Sequence, residues 1–127
     1  MRGKAILICV CFFVLISSIG IYIKQIYEKR IVAEVIAAEA CGEGYKGMVA
    51  VASVISNRAK IKRKTFYQIA TQKRQFFGYT AKNRTKLYKE VKEKVDEIVD
   101  LLYSGKLKDT VNGATHFENI KLYGTPK

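Results

Sequence analysis

The sequence predicts a mainly helical α+β domain behind one N-terminal membrane-spanning helix, and three observations predict it. Ala5 to Ile23 is a run of 19 residues without a charge, too long and too evenly apolar for a helix that buries only one stripe. Downstream, apolar residues recur at helical spacing in separate stretches. Near the C-terminus the elements shorten: Asn112-Gly113 is a turn pair, and Ala114-Thr115-His116-Phe117 after it reads as a short strand.

As a helix the first run would span roughly 28 Å, close to the hydrocarbon thickness of a bilayer. Arg2 and Lys4 precede it and Lys24 follows. A cleavable signal has a shorter apolar core and an A-x-A-like site. Here Ser17, Ser18 and Gly20 are the only small candidates, set among Ile19, Ile21 and Tyr22. An uncleaved signal anchor over residues 1–23 is therefore favoured over a cleaved signal. Either would put residues 24–127, read as one domain, outside the cytoplasm.

A second helix is expected from Lys24 to Cys41, with Ile31, Val32, Val35 and Ile36 on its apolar stripe. Gly42 fits the left-handed position just after a helix. The next helix, about Tyr45 to Asn57, places Met48, Val51, Ala52 and Ile55 on one face, and Ala50, Ala52 and Ser53 allow close approach of a neighbour. The basic run Arg58 to Lys64 reads as an exposed loop. Thr65 can cap a short helix carrying Phe66, Tyr67 and Ile69. Gln75 to Thr80 is an aromatic loop whose rings serve either core packing or sugar stacking. The longest soluble helix is expected from Thr85 to Ser104, with Leu87, Val91, Val95, Ile98 and Leu102 buried, Glu90 and Lys94 paired outside, and Gly105 as its stop.

With 23 Lys and Arg against 11 Asp and Glu, the formal charge is +12, which favours polyanions: nucleic acid, anionic head groups or acidic wall polymers. A membrane anchor argues against nucleic acid. Cys9 and Cys11 lie inside the apolar run and read as tolerated apolar residues; Cys41 lies in the central motif. No spacing suggests a zinc site, and no cofactor is expected. Gly42-Glu43-Gly44-Tyr45-Lys46-Gly47 matches G-x-G-x-x-G by letter. A helix precedes it where a strand is required, and Glu43 would repel a pyrophosphate, so it is no dinucleotide loop.

Glu39 is the leading catalytic candidate. It falls at the C-terminal end of a predicted helix, where the macrodipole disfavours a carboxylate, and desolvation acts in the same direction if Val35, Ile36 and the next helix exclude water. Both effects raise its pKa, as a general acid acting on a glycosidic oxygen requires. A structural glutamate, capping a helix or paired with a lysine, is the competing reading. Glu43 reads first as an anionic cap of the following helix and second as a helper. Cys41 with His116, the only histidine, is the alternative nucleophile and base. A bridge from Cys9 or Cys11 to Cys41 is a further, redox reading of the same residue.

The block Ala38-Glu39-Ala40-Cys41-Gly42-Glu43, followed by Gly47 to Arg58, resembles the catalytic domain of spore-cortex-lytic and related cell wall hydrolases. Gln75-Phe76 and Gly113 to Asn119 resemble it more loosely, and together the similarity covers about Ile31 to Tyr123. The resemblance implies a lysozyme-like fold and cleavage of peptidoglycan glycan strands, in some members by lytic transglycosylation. It implies Glu39 as the catalytic acid and matches Glu43 to the second acidic position. Gln75, Phe76, Tyr79, Thr115 and His116 become the substrate-binding candidates. Cys41 departs from the larger polar or basic residue that the family often carries there. The competing class is a non-catalytic wall-binding or morphogenetic membrane protein.

Overall fold

The computed structural model describes residues 1–72 and 80–115, with Cys41 described in its backbone only. It contains four α-helices and one 3₁₀ turn: α1 (Arg2–Ala40), the turn Cys41–Glu43, α2 (Gly44–Lys62), α3 (Phe66–Ala70) and α4 (Ala81–Tyr103). The chain divides into two compact units, Met1–Arg30 and Ile31–Lys127.

In the first unit the helix carries its apolar side chains outward on every face, with Phe12, Phe13, Ile16 and Ile23 all exposed. Among the described residues this is the one helix long and apolar enough to cross a membrane. Its two serines are satisfied without water: Ser17 Oγ donates to the Phe13 carbonyl at 2.9 Å and Ser18 Oγ to that of Val14 at 2.8 Å. A helix in lipid needs such internal bonding. Helix α1 does not break at Lys24, where a second helix was expected to begin; it continues to Ala40.

The second unit is built around α2. Met48, Val51, Ala52, Val54 and Ile55 are fully buried, with Ala50 and Ser53 nearly so. The end of α1 (Val32, Val35, Ile36), α3 (Ile69), α4 (Val95, Ile98, Leu102) and Val111 join them in one cluster. Small residues on α2 let these neighbours approach from several sides. Thr65 caps α3 as its sequence suggested, in a full capping box with Gln68. Gly105 follows α4 at a φ of +73°, a left-handed conformation that ends a helix at little steric cost.

The expected α+β, lysozyme-like fold is not what forms: the described residues hold helices and no strand. Of the predicted strand, Ala114 and Thr115 are irregular, while His116 and Phe117 lie outside the described residues. The physical reason is the partner of this segment. The Asn112-Gly113 turn forms, with φ of +50° and +77°, but the Ala114 carbonyl beyond it accepts from the Asn57 side chain of α2 at 3.2 Å. Ala114 is thus held to a helix, and among the described residues no strand lies beside it.

Three further expectations change. The left-handed glycine after α1 is Gly44 (φ +71°); Gly42 sits inside the 3₁₀ turn. The basic run is no loop, since α2 continues to Lys62 before Arg63 caps it at φ 52°, ψ 47°. Its Lys60 and Lys62 are favoured there by the negative end of the macrodipole, while Arg58 is buried. Finally, α4 starts at Ala81 with Thr80 as its cap, and Val91 (φ −121°, ψ 17°) kinks it. Tyr88 takes the buried place expected of Leu87, and Lys92–Asp96, at 2.8 Å, is an ion pair on its outer side. Hydrogen bonding to Asp96, and then its charge, raises the Lys92 ammonium above its ordinary value.

Candidate active site

Glu39 lies in the last turn of α1 and is half-buried, between the buried Ala38 and Ala40. The core stripe Val32, Val35 and Ile36 ends just before it. Its carboxylate therefore stands at the carbonyl end of a helix whose last turn contains no basic residue, the environment that disfavours a negative charge.

The chain then turns tightly. Glu43 occupies the cap position just before α2, but its backbone (φ −102°, ψ 2°) is not that of a regular cap and its side chain makes no capping hydrogen bond. Glu43 is exposed and folds back over the first turn of α2. A methyl placed on Gly47 would lie 2.5 Å from Glu43 Cβ, 3.1 Å from Glu43 Oε2 and 3.6 Å from Ala40 Cβ. The glycine spacing that imitates a nucleotide loop thus has a local cause: Gly44 supplies the left-handed turn, and Gly47 makes room for Glu43. Beside them, Tyr45 Oη donates to Glu97 Oε1 of α4 at 3.5 Å.

On the far half of α2, Ser53 and Asn57, one turn apart, hold the loop that precedes the tail. Ser53 Oγ donates to the Lys108 carbonyl and accepts from the Thr110 N–H, both at 3.4 Å. Asn57 Nδ2 reaches Asp109 Oδ2 and the Ala114 carbonyl, both at 3.2 Å. Asp109 accepts in addition from Val111 N and Gly113 N at 2.8 Å each. Partial burial alone would raise the Asp109 carboxyl; the two backbone N–H groups, the Asn57 amide and the charge of Lys60 outweigh it and hold the group below its ordinary range. A depressed folded-state pKa contributes stability above the unfolded value and loses it as pH falls through the folded one. Wild type should accordingly lose thermal stability relative to Asp109→Asn as pH drops below about 4, and parallel melting curves of the two proteins from pH 7 to pH 2 check it.

This clasp was not expected from the sequence, and it fixes the segment that leads into Thr115, which is half-buried. Gln75, Phe76, Tyr79 and His116 lie outside the described residues, as does the Cys41 side chain with its proposed pairings. Two buried charges were also missed. Glu34, on α1, is 7% exposed and accepts from Thr85 Oγ1 of α4 at 3.3 Å. Arg58 is 4% exposed, and burial pushes its guanidinium below its usual pKa. The signal for Glu34 was present: it is the one charge between Ile31 and Ala38.

The model of the cell wall hydrolase family matches residues 42–126, well over half of the chain. The chain belongs to the cell wall hydrolase family. The match opens at Gly42, just after Glu39, and takes in Glu43, all of α2 and the Ser53–Asn57 clasp. No curated protein and no solved structure matches the chain.

Proposed function

We propose that this chain cleaves the glycan strands of peptidoglycan as a lytic transglycosylase, with Glu39 as general acid and then base. The observation that carries the reading is the half-buried Glu39 at the carbonyl end of α1, in a chain of the cell wall hydrolase family. Glu39 protonates the glycosidic oxygen as its bond to C1 of N-acetylmuramic acid breaks. The resulting carboxylate takes the proton from the sugar's own C6 hydroxyl, and O6 bonds to C1 to close an anhydro ring. Glu39 ends protonated, ready for the next strand, and no water is consumed. A hydrolytic course needs a second carboxylate to direct water; Glu43 is the nearest in sequence and is turned over α2 toward Gly47.

In the same reading residues 1–23 form a single-pass anchor and residues 24–127 the catalytic domain, outside the cytoplasm. Gln75, Phe76, Tyr79, Thr115 and His116 contact the sugar strand, and the positive surface helps retain the protein on an anionic wall. Mass spectrometry of muropeptides released from purified peptidoglycan tests the chemistry. Anhydro-muramyl ends are expected. Reducing ends throughout would replace transglycosylation by hydrolysis, and retention on the wall without turnover would make the chain a binding protein.

A further inference from the structure

The C-terminal end of α2 has two features that neither folding nor catalysis uses. Ile61 is 70% exposed, although it belongs to a helix whose other large aliphatic residues are buried or half-buried. Around it Lys60, Lys62, Arg63 and Lys64 are all exposed. The macrodipole accounts for Lys60 and Lys62 in the last turn, and Lys60 also acts on Asp109. It accounts neither for Ile61 nor for the residue that ends the helix. Arg63 closes α2 in the left-handed conformation, its N–H and that of Lys64 both bonded to the Ala59 carbonyl. Glycine is the residue that takes this position without steric penalty. An arginine there carries a strain that the fold would shed with a glycine, and it places a further cation beside the exposed isoleucine.

We propose that this end of α2 is a docking surface for an anionic lipid bilayer. An apolar tip ringed by cations is the arrangement that enters the boundary between head groups and acyl chains while its charges meet anionic head groups. A soluble polyanion would satisfy the cations and leave Ile61 in water, which is why the lipid surface is favoured over a wall polymer. The proposal rests on the anchor reading in one respect: a spanning segment at residues 5–23 holds the second unit near a bilayer and makes docking intramolecular. Its consequence is that the enzyme works on the layer of wall adjoining the membrane.

The chain contains no tryptophan, so Ile61→Trp introduces a single emitter at the tip. The full chain carrying this substitution is reconstituted into vesicles of phosphatidylcholine alone or mixed with phosphatidylglycerol. Expected are a blue-shifted emission and quenching by brominated lipid in the anionic vesicles only, both reversed by high salt. Adding Arg63→Gly or Lys64→Gln should lower the docking equilibrium by about fivefold for each charge removed, and Arg63→Gly should raise Tm at the same time. Identical emission in both vesicle types overturns the proposal. So does a shift produced by a soluble polyol-phosphate polymer but not by anionic vesicles, which would make the partner a wall polymer. Carbonate extraction of the same vesicles reads the anchor separately: a released chain refutes the anchor, while emission at residue 61 still decides docking.

Discussion

Glu39→Gln should abolish wall lysis, lowering turnover by roughly 10²–10⁴-fold, while the protein melts at or above the wild-type temperature. The amide keeps the shape of the carboxyl and its capacity to accept a hydrogen bond, but it cannot release a proton to a glycosidic oxygen. Stability is expected to hold because the residue sits in the last turn of α1, where removing a negative charge relieves an unfavourable interaction with the macrodipole. The paired result separates chemistry from folding, since a structural glutamate would lose stability with activity. Two comparison variants sharpen it. Glu43→Gln should cost less than about tenfold, because its exposed side chain lies over Gly47 and the proposed reaction needs one carboxylate. Glu34→Gln alters a buried carboxylate that Thr85 bonds, and its expected effect is on the melting temperature. Dye release from labelled peptidoglycan, with melting curves on the same preparations, reads all three. Near-wild-type lysis by Glu39→Gln would end the assignment, and loss confined to Glu34→Gln would move it to that residue.

What the sequence made legible is what short-range physics determines. The uncharged run, the apolar face Met48–Val51–Ala52–Ile55, the Thr65 cap and the Asn112-Gly113 turn each depend on residues within a turn or two. The strand failed because its fate depended on a partner far away in the chain: Asn57 takes the Ala114 carbonyl. The buried Glu34 likewise answers to Thr85 on α4. The basic run failed for another reason. Lys60 to Lys64 are exposed as expected, yet Lys60 and Lys62 belong to a helix because cations are good helix formers at a helix C-terminus, and Arg58 is buried. Of the candidate site, Glu39 was visible as a carboxylate where an apolar stripe stops. The clasp that holds the 108–114 loop was not, because Ser53, Asn57 and Asp109 become neighbours only after α2 and that loop have packed.

Ile55→Ala and Ile61→Ala make the same chemical change on one helix, less than two turns apart, and should behave in opposite ways. Ile55 is fully buried, within the cluster that joins α1, α3 and α4 through α2. Truncating it removes buried methyl groups and leaves a cavity that helices packed on several sides cannot close, at about 2–5 kcal/mol. Against a total stability of about 5–15 kcal/mol, that is a large share, and Tm should fall by about 10 °C or more. Ile61 is exposed, so its truncation should stay within about 0.5 kcal/mol of wild type. Denaturant titration with a common m-value measures both. The loss in Ile55→Ala should appear as a smaller folded fraction with unchanged turnover per folded molecule, since the clasp and the half-buried Glu39 reform whenever the core does. If Ile55→Ala instead unfolds together with wild type, α2 is not the helix on which the second unit is assembled, and the positions of Glu39, Ser53 and Asn57 lose their common support.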